Sequence, residues 1–152
     1  MRTVKNKINI AVVGFGTIGS SVVKLLIERR RLFYDRTGID LNLKIVYDKD
    51  IVSKRGIKLP KEMLTKDINR IIGDPEIDIV VELMGGVHPA KEIVTKSLDA
   101  GKHVVTANKL LLADEGQAIF EKAENSDRQV LFEASVAGGV PIIKAIRESM
   151  AA

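Results

Sequence analysis

The chain has 152 residues, 45% hydrophobic and 29% charged, the balance of one soluble globular domain able to bury about two-thirds of its unfolded surface. Aromatics are only 4%, Trp is absent and the formal charge of +4 is spread over lysines interleaved with acids, so no stacking surface for nucleic acid is expected. The absence of Cys excludes disulfides and thiolate metal sites, no run approaches the roughly 18 apolar residues of a membrane span, and the stretch after the basic residues 1–7 is too short for a signal peptide; a cytoplasmic protein without membrane partners is expected.

Residues 8–13 (INIAVV) read as a buried strand that runs directly into GFGTIG at 14–19. A helical pattern with Val22, Val23, Leu25, Leu26 and Ile27 follows. In this setting Gly14 permits a tight turn, Gly16 lets the backbone approach a pyrophosphate, and Gly19 lets the helix pack closely on the strand. The free N–H groups at the positive end of the helix then face the phosphates. Arg29, Arg30 and Arg31 are expected to end this helix as a solvated, dipole-stabilised terminus, with a turn at 35–38. Further elements are a strand at 43–47 closing on Asp48, a loop at 51–60, a short helix at 61–72 and a doubly buried strand at 77–84 ending in Gly85 and Gly86. After these come a helix opened by Pro89 and closed by Gly101, a strand at 103–107, a helix at 115–125, a strand at 130–133, and a helix begun by Pro141 with Ile142, Ile143, Ile146 and Met150 as its apolar stripe.

Strands alternating with helices predict an α/β, Rossmann-type, doubly wound fold with a mostly parallel sheet and helices on both faces. Ligands of such sheets sit beyond the carboxyl ends of the strands. Five segments should converge there: 14–19, Asp48, 84–86, Asn108 with Lys109, and 133–140.

Asp48 is placed to accept hydrogen bonds from the adenosine ribose and to repel a 2′-phosphate, although it lies beyond the usual spacing of about 20 residues from the glycines because residues 34–42 are inserted. Lys49, Lys54 and Arg55 would act in the opposite sense; charge logic favours NAD over NADP. Glu82 interrupts an apolar strand, and a structural partner in the neighbouring loops is favoured over catalysis. Lys109 reads by itself as a solvated loop residue at the ligand edge, able to present an ammonium to a carbonyl or carboxylate. His88 and His103 have no metal-ligand spacing, and there is no GxSxG, Cys nucleophile or Walker lysine.

GFGTIG at 14–19, VVELMGG at 80–86, GKHVVTANKLLLA at 101–113 and FEASVAGGVPIIKAIRES at 132–149 together resemble homoserine dehydrogenase over nearly the whole chain. The resemblance implies an NAD(P)-dependent oxidoreductase that interconverts L-homoserine and L-aspartate 4-semialdehyde in the biosynthesis of threonine, methionine and isoleucine. It implies coenzyme contacts at Gly14, Phe15, Gly16, Thr17, Ile18, Gly19, Asp48, Met84, Gly85 and Lys109, with Lys109 near the nicotinamide and the substrate. It also implies a monovalent cation, Na+, held by the segment containing Glu133, Val136, Gly138 and Val140, and a homodimer for the full-length family. Residues 1–140 are then the coenzyme-binding domain, and 141–152 the start of a helix leading to a substrate and dimerisation domain that this chain lacks. That domain supplies the main proton-relay residues in the family, so this chain alone is expected to show negligible turnover. Alternatives are a non-catalytic dinucleotide-binding module or a related semialdehyde or amino-acid dehydrogenase.

Overall fold

The structure is a computed structural model that describes residues 6–138 and 140–150. Six strands form one sheet: β1 (Lys7–Val13), β2 (Asp40–Tyr47), β3 (Leu64–Thr65), β4 (Ile79–Glu82), β5 (His103–Thr106) and β6 (Val130–Leu131). Their spatial order is β3-β2-β1-β4-β5-β6 and every pairing is parallel. The helices are α1 (Thr17–Glu28), α2 (Arg30–Thr37), α3 (Asn69–Ile72), α4 (Ala90–Asp99), α5 (Lys109–Asn125) and α6 (Ile142–Met150). None of the described helices is long and apolar enough to cross a membrane.

The central strand β1 is apolar on both faces because helices cover both. Ile10 and Val12 join Val23 and Leu26 of α1 in one core cluster, while Ala11 and Val13 join Ile71 of α3 and Ile93 of α4 in another. A third cluster joins α4, α5, β5 and β6 through Val94, Leu98, Val104, Leu111, Ile119 and Val130. The chain thus turns in opposite directions on either side of β1, and the crevice above the β1/β4 boundary is the topological switch point.

Five expectations are corrected. The arginine triplet does not lead to a turn: the helix breaks only at Arg29, and α2 continues through 35–37 to a left-handed Gly38 with φ 71°. β2 begins at Asp40 rather than Leu43, because Arg30 grips the Asp40 carboxylate with two bonds of 2.6 and 2.7 Å and Asn42 donates to Asn9 on β1 at 2.9 Å. These polar residues gave no hydrophobic signal for a strand. Residues 61–72 are not one helix but a 3-10 turn at Lys61–Met63, the short β3, and α3. The Thr65 hydroxyl accepts from Asp67 N and the Asp67 carboxylate accepts from Asn69 N, a pair of local side-chain turns that compete with helix. Finally, α5 starts at Lys109, well before residue 115, and β6 ends at Leu131, where a 3-10 turn at Glu133–Ser135 takes over.

Candidate functional site

The three glycines of the first turn occupy three different environments. Gly14 has φ +100°, and a Cβ there would stand 2.8 Å from the Leu83 carbonyl oxygen. Its N–H donates to Tyr47 O at 2.8 Å, joining the turn to the end of β2. A Cβ at Gly19 would lie 1.9 Å from Gly14 O, so only glycine permits α1 to approach β1 this closely. Gly16 is different, since a Cβ there would meet nothing within 4 Å. Packing accounts for Gly14 and Gly19, whereas the space above Gly16 is open. Gly16 is also the N-cap of α1 and supplies no side-chain cap, so the first-turn amides of Thr17 and Ile18 face that space without an internal side-chain acceptor. Phe15 contributes its backbone here, because its ring is buried in the core with Val12 and Val23.

Asp48 lies at the rim as expected, but both of its oxygens serve the chain itself. Oδ2 accepts from Phe15 N at 2.5 Å and Oδ1 from Asp50 N at 2.8 Å. The acid therefore fixes the glycine turn to the end of β2. Arg55 is paired with Asp50 at 3.1 Å, and its Nε is buried without a hydrogen-bond partner. Hydrogen bonds from the Ser53 hydroxyl first, then from the Ser53 and Val52 amides, hold the Asp50 carboxyl down to about 2. Lys49 and Lys54 are exposed. A groove of about 530 Å³ runs between Phe15 and the basic loop that carries Lys54 and Arg55. A cleft of about 300 Å³ adjoins Gly14, Gly16, Asp48, Met84, Gly85 and His88.

On the other side of β1, Glu82 ends β4 fully buried, at 0% exposure. Its carboxylate accepts from Met84 N at 2.6 Å and from the Thr106 hydroxyl at 2.5 Å. Burial pushes its carboxyl above the ordinary value, and the bonds from Thr106 and Met84 pull it back. The Asn108 side chain donates to Gly86 O at 2.7 Å and accepts from Leu111 N at 3.1 Å, capping α5. Lys109, the first residue of α5, is exposed at the rim. It stands on a helix start, not in a loop.

Segment 133–140 meets this rim through Ser135, whose hydroxyl donates to Thr106 O at 2.9 Å. The Glu133 carboxylate accepts from Ile143 N and Lys144 N, both at 3.0 Å, and so caps α6. The Glu133 carbonyl accepts from Val136 N at 3.3 Å and the Val140 carbonyl from Ile142 N at 2.8 Å. Ala137 and Gly138 follow at φ 52° and 53°, turning successive peptide planes, and Gly139 lies outside the described residues. No cluster of three His, Cys, Asp or Glu side chains suited to a metal occurs among the described residues.

The structure thus brings Gly14, Gly16, Asp48, Met84 and Gly85 around one crevice, with Phe15 on the neighbouring groove and Lys109 at the strand-end rim where α5 begins after β5. Sequence reasoning missed Thr106 and Asn108 as organisers. Asn immediately before an apolar helical run is an N-cap signal that would have identified Asn108. Thr106 stands opposite Glu82 in the β4/β5 register, a partnership only the pairing reveals. His88, also missed, lines the cleft and pairs with Glu92 at 2.6 Å.

Residues 14–133 match the family model described as homoserine dehydrogenase, NAD binding domain. The homoserine dehydrogenase of Bacillus subtilis is 39% identical over 143 residues, covering 94% of this chain and 33% of the relative. That of Neisseria gonorrhoeae is 41% identical over 145 residues, covering 95% and 33%. The crystal structure of a homoserine dehydrogenase from Thiobacillus denitrificans superposes with a TM-score of 0.85 at 39% identity, over 95% of this chain and 33% of the other. The chain therefore spans about one third of the length of these relatives.

Proposed function

The chain belongs to the homoserine dehydrogenase family through its NAD-binding domain, and from that premise we propose that it is the coenzyme-holding part of an enzyme interconverting L-homoserine and L-aspartate 4-semialdehyde. The carrying observation is the contrast among the three glycines: Gly14 and Gly19 are closed by packing, whereas Gly16 faces empty space beside uncapped helix amides. A diphosphate fits that place, accepting from the first-turn N–H groups at the positive end of α1. A coenzyme held there would have its adenosine half on the β2 side and its nicotinamide half on the side of β4 and β5, where Met84, Gly85 and Lys109 would receive it. When bound, the nicotinamide supplies the hydride acceptor or donor. Thr17 and Ile18 would hold the diphosphate through their backbone N–H groups, Phe15, whose own N–H is taken by Asp48, would shape the turn beneath it, and the Lys109 ammonium would orient the substrate oxygen beside the ring.

NAD is the preferred coenzyme in this reading. Asp48 keeps further lone pairs for a ribose hydroxyl, and the Arg55 guanidinium that a 2′-phosphate would need is paired with Asp50. The monovalent cation is assigned to the carbonyls of Glu133, Val136, Gly138 and Val140. Two of these accept internal bonds and retain a second lone pair each. The homodimer is likewise assigned on family membership. Calorimetric titration of the folded chain with NADH and NADPH tests the central reading. Binding of NADH, tighter than NADPH, is expected; no heat from either overturns it, and tighter NADPH overturns the coenzyme preference. Repeating the titration in sodium and in choline chloride tests the cation.

A further inference from the structure

Two charged side chains lie almost wholly inside the described fold, at opposite ends of the sheet. Lys102, 1% exposed, precedes β5, and its ammonium donates to Asp74 O at 2.6 Å and Ile77 O at 3.4 Å, before β4 begins. Glu82 sits at the other end, where strands of such sheets deliver ligand-binding groups. Among the described residues Glu82 forms no ion pair, so its burial is offset by hydrogen bonds alone.

Those bonds form a closed circuit. Met84 N binds one carboxylate oxygen and the Thr106 hydroxyl the other. The Thr106 oxygen also accepts from Asn108 N at 3.0 Å, which directs its own proton to Glu82. Asn108 closes the circuit on Gly86 O and at the same time caps the turn of α5 that begins with Lys109. One carboxylate thus ties the loop after β4 to the loop after β5. These are the two loops that flank the nicotinamide half in the reading given above, on which this step rests.

We propose that Glu82 is a positioning residue for the nicotinamide end of the coenzyme: it holds residues 84–86 and the start of α5 in one arrangement and thereby places Lys109. It touches neither coenzyme nor substrate. Preorganisation of this kind affects the half of the ligand that the two loops contact and leaves the adenosine diphosphate half alone.

The test uses the 152-residue chain and two probes, NADH and ADP-ribose, the second lacking the nicotinamide. Glu82→Gln replaces one acceptor oxygen with a donor; Thr106→Val removes the hydroxyl and keeps the shape, and serves if the first variant does not fold. Either is expected to weaken NADH about tenfold while ADP-ribose stays within about twofold. Lys102→Met, which loosens the opposite end of the sheet, is expected to change both ligands equally. In the ligand-free chain, amide hydrogen exchange at Met84 and Leu111 should quicken in Glu82→Gln while Val12 is unchanged. Equal loss of both ligands, loss of neither, or unaltered exchange at Met84 overturns the proposal. A folded wild-type chain that binds ADP-ribose but not NADH also overturns it while leaving the diphosphate site standing; one that binds neither overturns the coenzyme reading itself.

Discussion

Two single-methyl substitutions in the glycine turn should have opposite consequences. In Gly19→Ala the new Cβ stands 1.9 Å from Gly14 O, where real contacts are not shorter than 3.0 Å, so α1 must retreat by about 1 Å. It cannot do so freely, because Val23 and Leu26 on its inner face are 0% and 8% exposed against Val12 and Val46. Overpacking of this kind costs about 1–3 kcal/mol, and displacement of a backbone places this case near 3 kcal/mol. A domain of this size loses roughly 2–4 °C in Tm per kcal/mol, so the transition should fall by about 6–12 °C. In Gly16→Ala the methyl enters open space, and the backbone at φ −69°, ψ −156° suits alanine. The cost is then at most about 1 kcal/mol for a poorer N-cap. In the proposed reading the same methyl enters the place of the diphosphate, and losing about two charge-assisted bonds of roughly 1.5 kcal/mol each predicts about a hundredfold weaker NADH. Circular dichroism melts and NADH fluorescence titrations measure both quantities. Undiminished NADH affinity in Gly16→Ala would refute the phosphate assignment, and an unchanged Tm in Gly19→Ala would refute the packing argument.

Asp48→Asn presents one acceptor and one donor to two backbone N–H groups that both now find a carboxylate oxygen. One amide is left unsatisfied, and urea unfolding should show a loss of about 1–3 kcal/mol. Asp50 has its folded value depressed to about 2 from 3.8, so its contribution to stability is complete above 3.8 and disappears as the pH falls through about 2. Asp50→Asn should remove that part of the acid dependence, seen as a flatter profile of urea midpoints between those values. Lys109→Met, at an exposed position, should leave stability within about 0.5 kcal/mol and weaken NADH more than ADP-ribose; equal weakening would place Lys109 away from the nicotinamide.

The parts of the fold legible in the sequence were those with a local cause. The glycine turn required glycine for reasons of backbone and close approach, and β1 and β4 advertised themselves as apolar runs because both faces are covered. The start of β2 was hidden because its first residues are held by polar pairs, Arg30 with Asp40 and Asn9 with Asn42, that carry no hydrophobic period. The tract at 61–72 gives no sequence sign of β3, because a two-residue strand is shorter than any periodic signal. The early start of α5 is legible in principle, since Asn108 stands as an N-cap ahead of Lys109 and three leucines, but a lysine just after a strand reads equally as a loop residue.

The site divides along the same line. Its glycine-turn end is specified by residues adjacent in sequence. Its two flanks are specified by contacts across 33 residues, Asp48 to Phe15, and across 24, Thr106 to Glu82. Each long contact has the same form: a carboxylate at the end of one strand accepts from the turn or strand end of its neighbour. Asp48 does this between β2 and β1, and Glu82 between β4 and β5. The acids at the rim are therefore first of all clamps that hold strand-end loops in register. This explains why Asp48 and Glu82 each stand at or just beyond a strand's last residue, and why neither is left free in the structure to face a ligand with a bare carboxylate.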